Sequence, residues 1–408
     1  MTAEASGTRP RVAAHRAPHV TSPVMAHDPA IVAPYLSDAA HVPGGSAAGV
    51  VFPRSLDEVA AVVRDATRVL AVGAQSSLTG GATPRGEVVL STRALDAIGT
   101  PADGRIRVGA GVPLVSLQQA LRAEGLYYPP VPTFEGAFVG GTIATNAAGA
   151  ATFKYGATRA WVEALTIVLA TGDVLDLARG AAVAGPDGRI EVLTADGAVV
   201  TIHTPTYRLP AVPKVSAGYF SAPGLDLIDL FIGSEGTLGV IVEATVRVIP
   251  RPRTCVVAIT CESERHAIDV TGALRDAATD GALDVAAVEY IDANALSLLD
   301  AEVYATAGLA RPRAGTTLLI AQIEVGADAT ASVEALVALL DAGQTTADPI
   351  VAMPEDERGR ARIFELREAV PATVNRLVAQ AKAQVDVRIQ KTAGDMIVPF
   401  DQIGRAHV

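Results

Sequence analysis

Val139-Gly-Gly-Thr-Ile-Ala-Thr-Asn-Ala-Ala-Gly149 decides how this chain is read. Gly140 and Gly141 open the stretch, Gly149 closes it, and Thr142, Thr145 and Asn146 stand between them. Glycine lets backbone N–H groups approach a ligand with no Cβ in the way. Short hydroxyl and amide side chains add polar contacts at fixed reach. Two more stretches share this character: Val72-Gly-Ala-Gln-Ser-Ser-Leu-Thr-Gly-Gly81 and Ile232-Gly-Ser-Glu-Gly-Thr-Leu-Gly239. Each follows an apolar run. Together they point to a long, anionic, multi-part ligand gripped along its length.

The 73–81 stretch reads as an anion cradle. Successive N–H groups in a turn form a nest that needs no basic side chain, and Ser76, Ser77 and Thr79 add donors. It is not a triphosphate loop of the Walker type, because no Lys-Ser/Thr pair follows its glycines. Val108-Gly-Ala-Gly-Val-Pro-Leu114 begins like a dinucleotide fingerprint. The third glycine is missing, however, Pro113 stands where helix and strand must pack, and no acidic residue ends a following strand. It reads better as a helix start with proline near the first turn. In the third stretch Glu235 has two readings, a cap for local N–H groups or a ligand contact.

The balance of 33 basic and 44 acidic residues gives a net charge of −11. That argues against nucleic acid, which calls for a basic face. No apolar run approaches the ~18 residues of a membrane span. The only lysines are Lys154, Lys214, Lys382 and Lys391. Cys255 and Cys261 flank a predicted strand at a spacing that fits neither a redox pair nor a zinc knuckle. They read as buried reduced thiols, which fits a cytoplasmic setting, with attachment at the face of the inner membrane as an alternative. Residues 1–24 mix Ala, Pro, Arg and His without periodicity and lack the apolar core of a secretory signal. They are expected to form a disordered tail.

Hydrophobic spacing predicts short helix at 28–36, strand at 49–53 and helix from 55, with Ser55 as N-cap and Glu58 in the capping-box position. Strands follow at 69–72, 88–91 and 105–109, then a helix at 114–124 with Leu114, Leu117 and Leu121 on one face. Strands at 162–169 and 173–177 flank the turn Thr171-Gly-Asp173. Residues 226–231 read as helix and 240–249 as a long strand closed by Pro250 and Pro252, where a domain boundary is expected. Beyond it, strands at 254–260, 285–291 and 316–324 alternate with helices at 263–277, 293–299 and 329–341. That pattern predicts an antiparallel sheet with helices on one face.

The three glycine stretches resemble the FAD domain of the vanillyl-alcohol oxidase superfamily, the p-cresol methylhydroxylase type. Within it they are most similar to the group holding the glycolate oxidase GlcD subunit, D-lactate dehydrogenase and D-2-hydroxyglutarate dehydrogenase. The group's "G-x-G-T-S-L-x-G" matches Gly73–Gly80, with Gln75 and Ser76 departing from Gly and Thr. "G-G-x-x-A-T-N-A-x-G" matches Gly140–Gly149. "K-x-x-x-G-Y … L-F-I-G-S-E-G-T-L-G-V-I" matches Lys214–Tyr219 and Leu230–Ile241.

The resemblance implies an α+β fold: a two-subdomain FAD-binding domain over residues 25–252, then an incomplete cap domain over 253–408 with an antiparallel sheet covered by helices. It implies that Gly73, Ala74, Gln75, Ser76, Ser77 and Thr79 hold the FAD pyrophosphate. Thr133, Gly140, Gly141, Thr142, Thr145, Asn146, Gly149 and Tyr155 would line the pyrophosphate and flavin ring, joined by Glu235, Gly236, Gly239 and Ile241. Relatives with covalent flavin carry His where Ser76 stands, so non-covalent FAD is expected.

In the second half, Phe364-Glu-Leu-Arg-Glu368 matches the family's "W/F-x-x-R-E" helix, whose Arg grips a substrate carboxylate in some members. A guanidinium suits a planar carboxylate in two-point fashion. Arg367 therefore reads either as that contact or as a surface arginine on an ion-rich helix. Lys391-Thr-Ala-Gly-Asp-Met-Ile-Val-Pro399 matches "K-x-x-x-D-x-x-V-P", which makes Lys391 a second candidate anion contact. The family's later "H-x-G-D-G-N-x-H" motif, which binds a divalent metal or moves the substrate proton, has no counterpart before Val408. The catalytic base is thus unassigned, a metal is expected only in a longer form, and the chain is expected to be C-terminally truncated.

The expected function is FAD-dependent oxidation of a small anionic 2-hydroxy acid, of the D-lactate or glycolate type. Electrons would pass to a quinone, a cytochrome or an electron-transfer flavoprotein, with other oxidase subunits as candidate partners. A non-catalytic flavin-binding subunit or fragment is the alternative, and a flavin-dependent alcohol oxidase is a second.

Overall fold

The computed structural model describes residues 11–212, 214–215, 217–308, 310–342, 349–386, 388–389 and 397–398. The chain divides into two compact units. One comprises residues 1–149 and 156–251, the other residues 150–155 and 252–408.

The first unit holds two sheets. Gly49–Val51, Val88–Ser91 and Val69–Val72 form a three-stranded parallel sheet in that order. Its strands are nearly continuous apolar runs, as strands covered on both faces must be. Helix Leu56–Asp65 covers one face, and the turn around Tyr35 covers the other. The helix starts where its cap dictates. Ser55 Oγ accepts from Glu58 N at 3.2 Å, and Glu58 accepts in return from Arg54 N at 2.7 Å, one residue ahead of the usual capping-box partner.

The second sheet runs Val199–His203, Arg189–Leu193, Arg11–Arg16, Asp173–Ala178, Val162–Val168, Val240–Arg247, Arg105–Gly109. Every neighbouring pair is antiparallel except Arg11–Arg16 with Arg189–Leu193. Val59, Ala60 and Val62 of helix Leu56–Asp65 meet Val51, Val88 and Leu90 of the small sheet and Val168, Val174, Val240 and Val242 of the large one. One helix therefore packs against both sheets and fixes where their loops emerge. Helix Leu114–Ala123 buries Leu114, Leu117 and Leu121 completely, as their spacing predicts.

The expected disordered tail is corrected from Arg11 onward. Arg11–Arg16 is an inner strand of the large sheet, in register with Ala14 opposite Leu175 and Val12 opposite Val192. Its own six residues carry little strand signal. Backbone pairing on both edges, with partners more than 150 residues away, is what makes it a strand. Residues 1–10 lie outside the described residues.

The second unit contains a four-stranded antiparallel sheet in the order Asp284–Ile291, Thr317–Val325, Arg253–Cys261, Ile350–Ala352. Helices cover both faces, not one. Cys255, Val257 and Ile259 pack with helices Glu264–Asp280 and Ala329–Ala342. Val256 and Ala258 pack with helix Ala301–Ala307 and with Ile363 and Leu366 of helix Glu357–Gln384. The strand sequences carry this information: Cys255-Val-Val-Ala-Ile259 and Leu318-Leu-Ile-Ala321 are unbroken apolar runs, where one-sided cover would show alternation. Among the described residues no helix is long and apolar enough to cross a membrane.

Candidate functional site

The first glycine stretch leaves the carboxyl end of strand Val69–Val72. Gln75 sits at φ 56°, in the left-handed region that side chains rarely enter. Its amide holds it there by donating to the carbonyls of Pro34 at 3.1 Å and Ser37 at 3.0 Å. Among the described residues, the backbone N–H groups of Ala74, Gln75, Ser76 and Ser77 find no acceptor. A half-buried row of free N–H groups around a left-handed residue is an anion nest. Ser77 and Thr79 bond to each other at 2.8 Å and tighten the turn beyond it. Asp38, which sequence reasoning overlooked, closes the stretch. It is buried, and its carboxylate accepts from Ala40 N at 3.1 Å and Ala82 N at 3.2 Å.

The second stretch opens with the short helix Val139–Ala144. Its two glycines differ in purpose. A Cβ on Gly140 would stand 2.6 Å from the Cβ of Ala110, so that glycine is fixed by packing. A Cβ on Gly141 would meet nothing within 4 Å, and Gly73 lies alongside. The open face at Gly141 thus borders the start of the first stretch.

The polar side chains of this stretch also bond to the chain itself. Thr142 is buried and its hydroxyl donates to Val139 O at 2.9 Å. Thr145 donates to Gly141 O at 2.9 Å, and buried Asn146 accepts from Arg159 N at 2.9 Å. Asn146 is also left-handed, at φ 46°. Gly149 lies against the carbonyl of Val131, which leaves no room for a side chain. Thr133 is exposed, in the bend that precedes the helix.

The third stretch caps that helix. Gly233 N donates to Ile143 O at 3.0 Å and Glu235 N to Ala144 O at 2.8 Å, which satisfies two of the carbonyls a helix end leaves open. Glu235 is left-handed as well, at φ 53°. Its exposed carboxylate points toward Gly81, within 4 Å of where a Cβ there would sit. Gly236 opens to free space. Gly239 abuts Ile167 and Val168, and Ile241 is buried in the sheet opposite Ile167. Five described non-glycine residues have positive φ, and three of them, Gln75, Asn146 and Glu235, fall one to each glycine stretch. Such backbone persists where the surroundings hold it, and it gathers at ligand sites.

Arg159, which the glycine patterns do not reveal, ties the second and third stretches together. Its backbone serves Asn146, while its guanidinium donates to Ile232 O and pairs with Asp229 at 3.1 Å. Arg179 holds the other side of Asp229 at 3.2 Å. Burial pulls the Arg159 guanidinium below its ordinary pKa, and Asp229 opposes that fall.

In the second unit, Tyr155 donates its hydroxyl to Glu324, and Lys154 pairs with Glu324 at 2.6 Å and Asp284 at 2.7 Å. Arg367 pairs with Glu289 at 2.6 Å and with Glu368 at 3.1 Å, beside buried Leu366 about three turns into helix Glu357–Gln384. Lys391 lies outside the described residues. Among the described residues no cluster of His, Cys, Asp and Glu is arranged to hold a metal.

Residues 47–178 match the family model described as an FAD binding domain. A D-lactate dehydrogenase of Anaerostipes hadrus is 36% identical over 209 residues, 50% of this chain and 36% of that protein. A D-2-hydroxyglutarate dehydrogenase of Xanthomonas citri pv. viticola is 35% identical over 214 residues, 50% of this chain and 37% of that protein. The chain therefore spans well under half the length of these relatives. Among solved structures, an alkyldihydroxyacetonephosphate synthase superposes with a TM-score of 0.54 at 18% identity, covering 77% of this chain and 54% of its own. Fold, glycine stretches and family model agree on the class: this is an FAD-binding protein. More closely, half of the chain is similar to relatives named D-lactate dehydrogenase and D-2-hydroxyglutarate dehydrogenase. The residues present fit the cofactor. The free N–H row at 74–77 suits a pyrophosphate, and the open space at Gly141 and Gly236 admits a ligand against bare backbone.

Proposed function

We propose that this chain takes part in the FAD-dependent oxidation of a small 2-hydroxy acid to the 2-oxo acid. The observation that carries the reading is the acceptor-free N–H row at Ala74–Ser77, beside the open face of Gly141, within a domain whose relatives are named D-lactate and D-2-hydroxyglutarate dehydrogenases. Bound FAD supplies the two-electron chemistry; the protein supplies binding and orientation. The 74–77 turn neutralises pyrophosphate charge with N–H dipoles, without a basic side chain. Ser76 offers no imidazole for a covalent link, so the cofactor is held by contacts alone. Arg367 is the proposed grip for the substrate carboxylate. Its pairing with Glu289 fixes the guanidinium plane, and a carboxylate would approach by replacing Glu368. Lys391 is proposed as a second contact on the sequence match alone. The acceptor is proposed to be a quinone, cytochrome or flavoprotein.

The test is flavin content followed by turnover. Purified protein, supplied with FAD, is assayed with D-lactate, glycolate and D-2-hydroxyglutarate and an artificial electron acceptor. Reduction of the acceptor with one of these acids supports the reading. Tight FAD binding with no turnover on any of them leaves a flavin-binding subunit and contradicts the dehydrogenase role.

A further inference from the structure

We propose that Arg159 is a positioning residue for the cofactor, setting the spacing of the second and third glycine stretches. The inference rests on the reading of these stretches as the FAD site.

Arg159 stands where the two stretches meet. Its backbone N–H fills Asn146 Oδ1 at 2.9 Å, which holds the left-handed turn at Asn146. Its guanidinium reaches the carbonyl of Ile232, the residue immediately before Gly233. A Cβ on Gly233 would lie 3.3 Å from the Cβ of Asn146 and 3.4 Å from the Arg159 guanidinium, so these three residues are in mutual contact. From the far side, Asp229 pairs with Arg159 at 3.1 Å and the Phe220 ring lies 4.2 Å beneath the guanidinium. Arg179 closes the set with bonds to Arg159 O at 3.0 Å and to Asp229.

The planar, five-donor guanidinium is what lets one side chain serve a carbonyl and a carboxylate on different segments at once. A lysine keeps the charge but offers a single point, so it serves Asp229 or Ile232 and leaves the other. Arg159 is not placed against the cofactor. It acts through Asn146 and Ile232, whose neighbours Thr145, Gly233 and Glu235 belong to the glycine stretches. Losing it frees the spacing between Gly141 and Gly236, the two open glycines, without touching the 74–77 nest.

The test compares FAD affinity with fold stability in the full chain. FAD dissociation constants are measured by quenching of flavin fluorescence for wild type, Arg159→Lys, Arg159→Ala and Arg247→Ala. Arg247 is the control. It also bonds a backbone carbonyl, pairs with a carboxylate, Glu163, and lies over a ring, Trp161, but it touches no glycine stretch. The expected result is at least a tenfold weaker FAD complex for Arg159→Lys. At saturating FAD, the visible circular dichroism of the bound flavin should also be altered. Arg247→Ala should keep wild-type affinity and spectrum even if its melting temperature falls. If Arg159→Ala does not fold, the Lys variant still decides. Wild-type affinity and spectrum in Arg159→Lys overturn the proposal, as does an equal loss of affinity in Arg247→Ala. A wild-type chain that binds no FAD overturns the flavin reading itself, which is a separate result.

Discussion

The backbone N–H of Glu235 donates to the carbonyl of Ala144 at 2.8 Å, joining the third glycine stretch to the helix of the second. The bond is made from a left-handed residue, φ 53°, so it holds backbone that a glutamate would otherwise avoid. Two substitutions separate side chain from backbone. Glu235→Gly relieves the conformation and should leave stability within about 0.5 kcal/mol of wild type. Glu235→Val puts a β-branched residue there and should cost about 1–3 kcal/mol. Urea unfolding followed by Trp161, the chain's one tryptophan, reads the first unit directly. Equal stability in the two variants would mean that Glu235 is not held left-handed.

Gly140 gives a packing prediction. A Cβ there meets Ala110 at 2.6 Å, in a position where Ala110 O also accepts from Gly140 N at 2.8 Å. Neither partner can withdraw without breaking that bond. Gly140→Ala should lower stability by about 1–3 kcal/mol, the usual range for overpacking a filled site. A melting temperature equal to wild type would show that the helix is free to slide.

Asp229 stands between two guanidiniums, Arg159 at 3.1 Å and Arg179 at 3.2 Å. Removing it leaves Arg159 without its carboxylate and Arg179 with Asp226 alone, at 3.9 Å, and lowers the Arg159 pKa further, since Asp229 is what opposes burial there. Breaking a fully buried pair costs roughly 3–5 kcal/mol; these arginine side chains retain 17% and 29% exposure, so about 2–3 kcal/mol is expected for Asp229→Ala. The urea midpoint measures it, and a change below about 0.5 kcal/mol, the size of an exposed pair, would contradict the arrangement.

These charged partners show what sequence does not disclose. The glycine stretches were legible because Gly, Ser, Thr and Asn at close spacing after apolar strands have few other uses. Helix Leu114–Ala123 was legible because its three buried leucines lie at helical spacing. Arg159 is one arginine among many, and nothing local marks it. Its role arises from Asn146, 13 residues before it, and Ile232, 73 residues after it. Strand Arg11–Arg16 was missed for the same reason, since distant neighbours make it. The protein partners of Thr142 and Asn146, the carbonyl of Val139 and the N–H of Arg159, were not legible, because short polar side chains can bond the backbone as well as a ligand and their types alone do not say which.

Cys255 and Cys261 are buried in the second unit's core, and burial raises both thiols, Cys261 to about 11. A thiol with a raised pKa stays protonated and unreactive at pH 8. Both should resist a thiol-specific reagent until urea unfolds the chain. Because the folded pKa is the higher one, the contribution of Cys261 to stability is complete below its unfolded pKa of about 8.5. It is then lost as pH climbs toward about 11. Rapid labelling of the native protein at pH 8 would contradict this burial.

The claim at the centre is that the open face of Gly141, beside the 74–77 nest, is where FAD lies. Titrating FAD into wild type and Gly141→Ala tests it most directly, because beyond its own helix backbone a Cβ at Gly141 meets no part of the chain within 4 Å, so a bound ligand is what it would crowd. The account predicts one FAD per wild-type chain. For the variant it predicts affinity at least tenfold weaker, with the melting temperature of the FAD-free protein changed little. Equal FAD affinity in the two proteins, or no binding in either, would contradict it.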